Sequence, residues 1–314
     1  MNSDTFLHTL EPLRDCTLCP RECHVNRFAG MNGYCKSDVS FNIASVCIHR
    51  GEEPVISGTK GICNIFFTNC NLQCIYCQNH QISNRSVSRS LSSMDLSELL
   101  KAIIDILETG INLVGFVSPS HFIPQMKVII QAVNASGYYP KWLYNTNGYD
   151  KTETLRTLEG VIDVYLPDLK YLDESLAYRL SDAKDYPDVA MKALREMFRQ
   201  KGSTLILSEE GIVESGMIIR HLVLPGQVEN SLKVLKFIAD ALSPRVHVSL
   251  MSQFYPAGKT KDYPDMNRGI TANEYKIVQK EMEKLGMYSG WGQEFESKDY
   301  YKPEFEKSHP FEHS

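Results

Sequence analysis

The sequence predicts an α/β protein: a partial (β/α)6 barrel of parallel strands with a small Cys-rich N-terminal extension. Three observations carry this. Six short apolar runs of strand length recur from residue 61 onward, amphipathic stretches of helical period separate them, and four of the nine cysteines crowd into residues 16–35. Strands alternating with helices imply parallel pairing through right-handed crossovers. Helices between successive strands suit a barrel or partial barrel, whose chemistry lies at the C-terminal strand ends. A doubly wound sheet satisfies the same alternation.

Taken in order, residues 1–60 read as a metal-binding extension, with short Gly/Pro-punctuated stretches and no long periodic run. The barrel is expected over 61–286. Its first strand is ICNIFFT (62–68). A helix opening near Ser93 then places Leu96, Leu99, Leu100, Ile103, Ile104 and Leu107 on one face, and Gly110 closes it. INLVGFV (111–117) is strand-like. Pro124 suits the first turn of the next helix, with Met126, Ile129, Ile130 and Val133 inward and Gly137 at its end. Strand 142–145, helix 152–158 and strand 161–166 follow. A helical region runs to about residue 200, broken near Tyr186-Pro187. Residues 205–207 and 212–213, around SEEG, read as an inserted hairpin. Strand 217–224, helix 229–242, strand 246–250 and helix 272–285 complete the series. Residues 287–314 are polar and acidic and are expected to wrap the surface.

Over 314 residues, 33 basic and 38 acidic side chains give a net charge of −5, which argues against nucleic acid or an anionic membrane as partner. No run reaches the roughly 18 apolar residues of a membrane span. The first residues, MNSDTFLHTLEPLRDC, have no basic-then-apolar secretory pattern. A cytoplasmic location is therefore expected, where thiols stay reduced and clustered cysteines read as metal ligands.

Cys70, Cys74 and Cys77 put three thiols within eight residues, directly after the first barrel strand. Asn69, Asn71 and Gln73 make this a polar loop rather than a core strand. Three thiolates at this spacing can hold three corners of a [4Fe–4S] cluster and leave one iron open. A Cys3His zinc site completed by His80 competes with that reading. Cys16, Cys19, Cys23 and Cys35 supply four more thiolates, for either a closed iron–sulfur cluster or tetrahedral zinc. So short a segment with so little apolar periodicity needs a metal to hold its shape. Cys47 and Cys63 read as small buried hydrophobes.

The C-x3-C-x2-C spacing with Tyr76 before the third cysteine resembles the cluster motif of the radical S-adenosylmethionine (SAM) superfamily. CTLCPRECHVNRFAGMNGYC (16–35), GEEPVISG (51–58), FFTNCNLQCIYCQNHQIS (66–83), VYLPDLKY (164–171), RHLVLPG (220–226) and SLMSQFYP (249–256) are similar to one branch. That branch comprises iron–sulfur proteins related to pyruvate formate-lyase activating enzyme, and the similarity covers about residues 15–286. The resemblance implies an oxidoreductase that reductively cleaves SAM at a [4Fe–4S] cluster and uses the 5′-deoxyadenosyl radical for hydrogen abstraction. It further implies an electron donor such as flavodoxin or ferredoxin, and an activase-like role with a protein substrate carrying a glycyl radical. Catalysis on another peptide or small molecule is the alternative, and a non-catalytic electron carrier is a second.

The resemblance also implies SAM contacts. Ser118 and Ser120 stand where the superfamily carries Gly-Gly-Glu. Asn145 begins the polar turn after the third strand, Asp168 and Lys170 match an Asp-x-Lys after the fourth, and Arg220 matches an arginine that pairs with the SAM carboxylate. A structural network of Lys170 and Arg220 on Asp168 competes with these roles. Gln253 and Tyr255 are candidates near adenine or substrate. GEEP (51–54) precedes the first strand and reads equally as an exposed turn. Lys170, Arg220 and Lys259 are expected to form a local basic rim for an acidic peptide or metabolite.

Overall fold

The structure is a computed structural model that describes residues 3–84, 94–293, 303–305, 307 and 310–311. Among the described residues the strands are β1 (Ile43–His49), β2 (Ile62–Phe67), β3 (Leu113–Val117), β4 (Lys141–Thr146), β5 (Val164–Pro167), β6 (Ile206–Leu207), β7 (Val213–Leu222), β8 (His247–Met251) and β9 (Gly290–Gly292). They form one sheet in the order β1-β2-β3-β4-β5-β7-β8-β9, with β6 paired to β7. Every pair from β2 to β9 along that order is parallel.

The helices are α1 (Ser3–Leu10), α2 (Pro54–Ser57), α3 (His80–Ser83), α4 (Leu96–Leu107), α5 (Ile123–Ala135), α6 (Thr152–Arg156), α7 (Glu174–Ser181), α8 (Tyr186–Lys201), α9 (Val228–Ala241) and α10 (Ala272–Lys284). Asp95 and Glu98 cap α4 reciprocally, and Leu99, Ile103 and Leu107 bury its inner face. The Ser93 start expected from sequence lies outside the described residues. Asp182, in the left-handed region at φ 53°, ends α7, and Pro187 in the first turn of α8 completes the expected break.

The sheet does not stop at the six expected strands. β1 is an antiparallel edge strand on β2, so the anticipated boundary at residue 60 falls inside one continuous sheet. Its burial is irregular, which hid the period-2 signal. β9 adds a further parallel strand beyond β8 from within the expected surface tail. Gly290 permits this, because a Cβ there would lie 2.1 Å from the Val248 carbonyl oxygen. The expected hairpin exists, but its second arm is continuous with the next strand as the ten-residue β7.

Alternate residues of β2 face opposite ways. Cys63, Ile65 and Phe67 join the large core with the crossover helices, whereas Ile62 packs in a second cluster with Leu113, Leu143, Val164, Leu166 and Ile218. That second cluster is the barrel lumen. The short α2 plugs it, with Ile56 fully buried among these side chains. Among the described residues, no helix is long and apolar enough to cross a membrane.

Candidate cluster and cofactor site

The loop leaving β2 turns at Asn69, which adopts φ 63° and donates its N–H to the Ile82 carbonyl at 2.7 Å. Backbone bonds from Gln73 to Ser181 and from Ile75 to Leu180 dock the loop on the end of α7. Leu72, Ile75 and Tyr76 anchor it in the main core, and the Tyr76 hydroxyl lies 2.5 Å from that of Tyr171. The three cysteines are thereby turned to one cavity of about 190 Å³ at the C-terminal strand ends.

Each sulfur has a polar neighbour. The Leu72 N–H and the Asn147 side-chain amide donate to Cys70 Sγ, both at 3.4 Å. Ser181 Oγ donates to Cys74 Sγ at 3.0 Å, and Ser83 Oγ lies 3.1 Å from Cys77 Sγ. Burial pushes the Cys70 thiol up to about 12 and the Cys77 thiol up to about 11, so without a metal to replace the proton both are inert. Polar groups beside one buried and two half-buried sulfurs suit thiolates that share their charge with iron, so the donor set fits a [4Fe–4S] cluster. His80 does not complete a zinc site. It is exposed, and its Nδ1 donates to the Cys77 carbonyl at 3.1 Å. Among the described residues, no three His, Cys, Asp or Glu side chains converge on the radius of a single metal ion.

The same cavity is lined by Ser118, Asn145, Asn147, Asp168, Lys170 and Arg220. Ser118 sits there in the left-handed region, its N–H bonded to the Asn145 carbonyl at 2.7 Å. Lys170 Nζ donates to Asp168 Oδ2 at 2.5 Å. Ser120 is not brought to the cavity. It is buried beside Thr146 Oγ1 at 3.2 Å, in a network where Thr146 and Tyr144 donate to Asp150. Gln253 lines the cavity and Tyr255 does not. Asn147, which the sequence offered only as part of a turn, is a direct hydrogen-bond partner of Cys70 Sγ.

Two expectations need correction. The GEEP segment is no exposed turn: Glu52 and Glu53 are buried in the lumen and clamp Arg220. Arg220 donates from Nε to Glu53 Oε1 at 2.8 Å, from Nη2 to Glu53 Oε2 at 2.6 Å, and from Nη2 to Glu52 Oε2. Asn64 Nδ2 donates to Glu52 Oε1 at 2.8 Å. Burial works to raise the Glu52 carboxyl, but Arg220 and these hydrogen bonds outweigh it and hold it down to about 2. A guanidinium held by two carboxylates leaves little for the SAM carboxylate. The basic rim also dissolves, since Lys170 and Arg220 are paired and Lys259 lies on another cleft beside Gln73 and Arg179.

Beyond Arg220 lies a second cavity of about 360 Å³, on the lumen side. Gln78, Asn79, Val117, Asn145, Arg220, Met251 and Gln253 are shared by the two cavities. Cys47 and Cys63 are buried on neighbouring strands, as expected for small hydrophobes.

The N-terminal thiols gather separately. Cys16, Cys19 and Cys35 are buried, Cys23 is half-buried, and all four charges would interact. The Tyr34 N–H donates to Cys23 Sγ at 3.2 Å, and buried Arg27 approaches Cys35 Sγ at 3.6 Å. A Cβ on Gly33 would come within 2.8 Å of Cys23 Sγ, so only glycine lets the loop close here. The four thiols gather round one loop but, among the described residues, do not converge on the radius of a single ion.

A parallel partial barrel that presents three cysteines from the loop after its first parallel strand, over a polar cavity at the strand ends, is a cluster-binding barrel protein. The family model of the Radical SAM superfamily matches residues 64–238, more than half of the chain, and the chain belongs to that superfamily. Membership implies a [4Fe–4S] cluster and SAM. An uncharacterized protein of Methanocaldococcus jannaschii, MJ0674, is 29% identical over 287 residues, covering 88% of this chain and 75% of its own. SuiB of Streptococcus suis bound to S-adenosylmethionine is similar at 12% identity and TM-score 0.47, over 72% of this chain and 48% of its own. The chain thus spans about half the length of SuiB. Methylornithine synthase (PylB) is similar at 13% identity and TM-score 0.46, over 91% of this chain and 70% of its own.

Proposed function

We propose that the protein is a radical SAM enzyme that abstracts hydrogen from a substrate seated in the barrel lumen. The carrying observation is the pair of cavities that meet at Arg220: one faces the three thiols, the other opens at the mouth of the lumen beside Glu52 and Glu53. Cys70, Cys74 and Cys77 would hold the cluster, and Ser118, Asn145, Asp168 and Lys170 would border SAM. The chemistry that cluster and SAM supply together is a one-electron cleavage ending in hydrogen abstraction. The chain's own part is to hold and exclude. Asn147, Ser181 and Ser83 would stabilise charge on the three sulfurs, and Phe66, Trp291 and Phe311 give the second cavity an apolar wall. An electron carrier needs no such chamber.

The narrower activase reading, with a glycyl radical on a partner protein and flavodoxin or ferredoxin as donor, rests on resemblance. A chamber of about 360 Å³ suits a small molecule better than a protein loop. The N-terminal four cysteines would hold a second centre, iron–sulfur or zinc, and nine free thiols suit the cytoplasm. The test is anaerobic purification with iron and sulfide counts, then SAM cleavage under dithionite. 5′-Deoxyadenosine should form, and deuterium from the correct substrate carbon should enter it. Methyl transfer without 5′-deoxyadenosine would overturn the reaction type.

A further inference from the structure

We propose that the lumen chamber selects a small substrate through a protonated amine or guanidinium, received by Glu52 and Glu53 and by the aromatic rings around them. The inference rests on the reading of the lumen as the substrate site and names the chemistry that site would accept.

Charge comes first. Among the described lining residues, Arg220 is the one Lys or Arg, and two carboxylates already share it. Glu53 takes it through both oxygens and Glu52 through one, while Glu52's other oxygen accepts from Asn64. Among the described lining residues this formally leaves one negative charge in surplus. Lys170 does not offset it, because its ammonium is paired with Asp168 on the cluster side. His49 Nε2 lies 3.9 Å from Glu52 Oε1, and burial disfavours the charged form of its imidazole. A surplus carboxylate in a barrel interior is costly unless a cation meets it.

A second observation is independent of charge. His49 lines the chamber at 8% exposure, and its Nδ1 has no hydrogen-bond partner among the described residues. An N–H-rich ligand would satisfy it. Third, Phe66, Trp291 and Phe311 line the same chamber, and Phe311 packs on both His49 (4.0 Å between centroids) and Phe66 (5.5 Å). Aromatic faces attract cations through their quadrupoles, so rings and carboxylates favour the same ligand. An anion would have to displace Glu53 from its two-point contact with Arg220. A neutral ligand would leave the surplus charge unmet.

Equilibrium dialysis of the anaerobically purified protein tests this with three five-carbon probes: cadaverine, 1,5-pentanediol and glutarate. Cadaverine should bind saturably, and the neutral and anionic probes at least tenfold more weakly. Glu53→Gln leaves Glu52 opposite Arg220 and removes the surplus charge, so it should weaken cadaverine at least tenfold. Glu52→Gln does the same from the other carboxylate, should either variant fold poorly. Equal or tighter binding of glutarate, no saturable binding of any probe, or cadaverine binding unchanged in a folded variant would overturn the proposal. So would competition by SAM, since the carboxylates would then serve the cofactor. SAM cleavage under dithionite, measured without probe, reports the radical SAM reading by itself and separates the two failures.

Discussion

Asn147 ties the cluster loop to the strand ends with a single side chain. Its Nδ2 donates to Cys70 Sγ and, at 2.8 Å, to Asn71 Oδ1, while its Oδ1 accepts from the Tyr149 N–H at 2.9 Å. Asn147→Ala should cost about 1–3 kcal/mol in urea unfolding, because it strands buried polar partners. Cys74→Ser should abolish SAM cleavage and remove one cluster's worth of iron; normal cleavage in that variant would sink the ligand assignment. His221 yields a pH prediction. Burial lowers its pKa to about 4, and its ring is bonded to the Leu169 carbonyl and Ser231 Oγ. The folded imidazole stays neutral while the unfolded one protonates below about 6.5. Its contribution is therefore complete above pH 6.5 and is lost as pH falls toward 4. From pH 7 to pH 5 the urea-derived stability should drop by about 2 kcal/mol on its account, and His221→Asn should flatten that slope.

At the scale of elements, α2 is a four-residue helix with an outsized role. Pro54 starts it, Ile56 enters the lumen core, and the two residues before it carry the carboxylates that fix Arg220. Ile56→Ala should destabilise by about 2–5 kcal/mol, read by urea midpoint, through the cavity left against Leu113, Leu143 and Ile218. Gly115 on β3 guards the same clamp. A Cβ there would lie 2.3 Å from Asn64 Oδ1, so Gly115→Ala should push Asn64 off Glu52 and weaken ligand binding in the lumen before it weakens SAM binding. A dialysis measurement with each would separate them. The crossover helices were legible because caps and 3.6-residue stripes are local; α4 matched its apolar face to Leu99, Ile103 and Leu107. β1 and β9 were not, since an edge strand and a Gly-Trp-Gly segment owe their structure to a neighbour's backbone.

Across the whole molecule, the N-terminal loop and the barrel brace one another. Arg21, between Cys19 and Cys23, donates to the Asn71 and Asp182 carbonyls and stacks 3.6 Å over Tyr34. The N-terminal site therefore touches the residue beside Cys70. If the N-terminal thiols hold the proposed second centre, Cys19→Ser should lower thermal stability and solubility before it alters chemistry at Cys70, because a metal bound there would supply folding energy. A variant that melts like the parent but loses all SAM cleavage would contradict this. The sequence by itself determined the strand–helix alternation, the seven clustered cysteines and the Asp168/Lys170 turn, because period and spacing are properties of a short stretch of chain. Only the tertiary structure decided that Glu52 and Glu53 reach Arg220, 168 and 167 positions away, and that Asn147 meets Cys70. Those pairings depend on which strand ends close round one lumen, and no local pattern of residues encodes that.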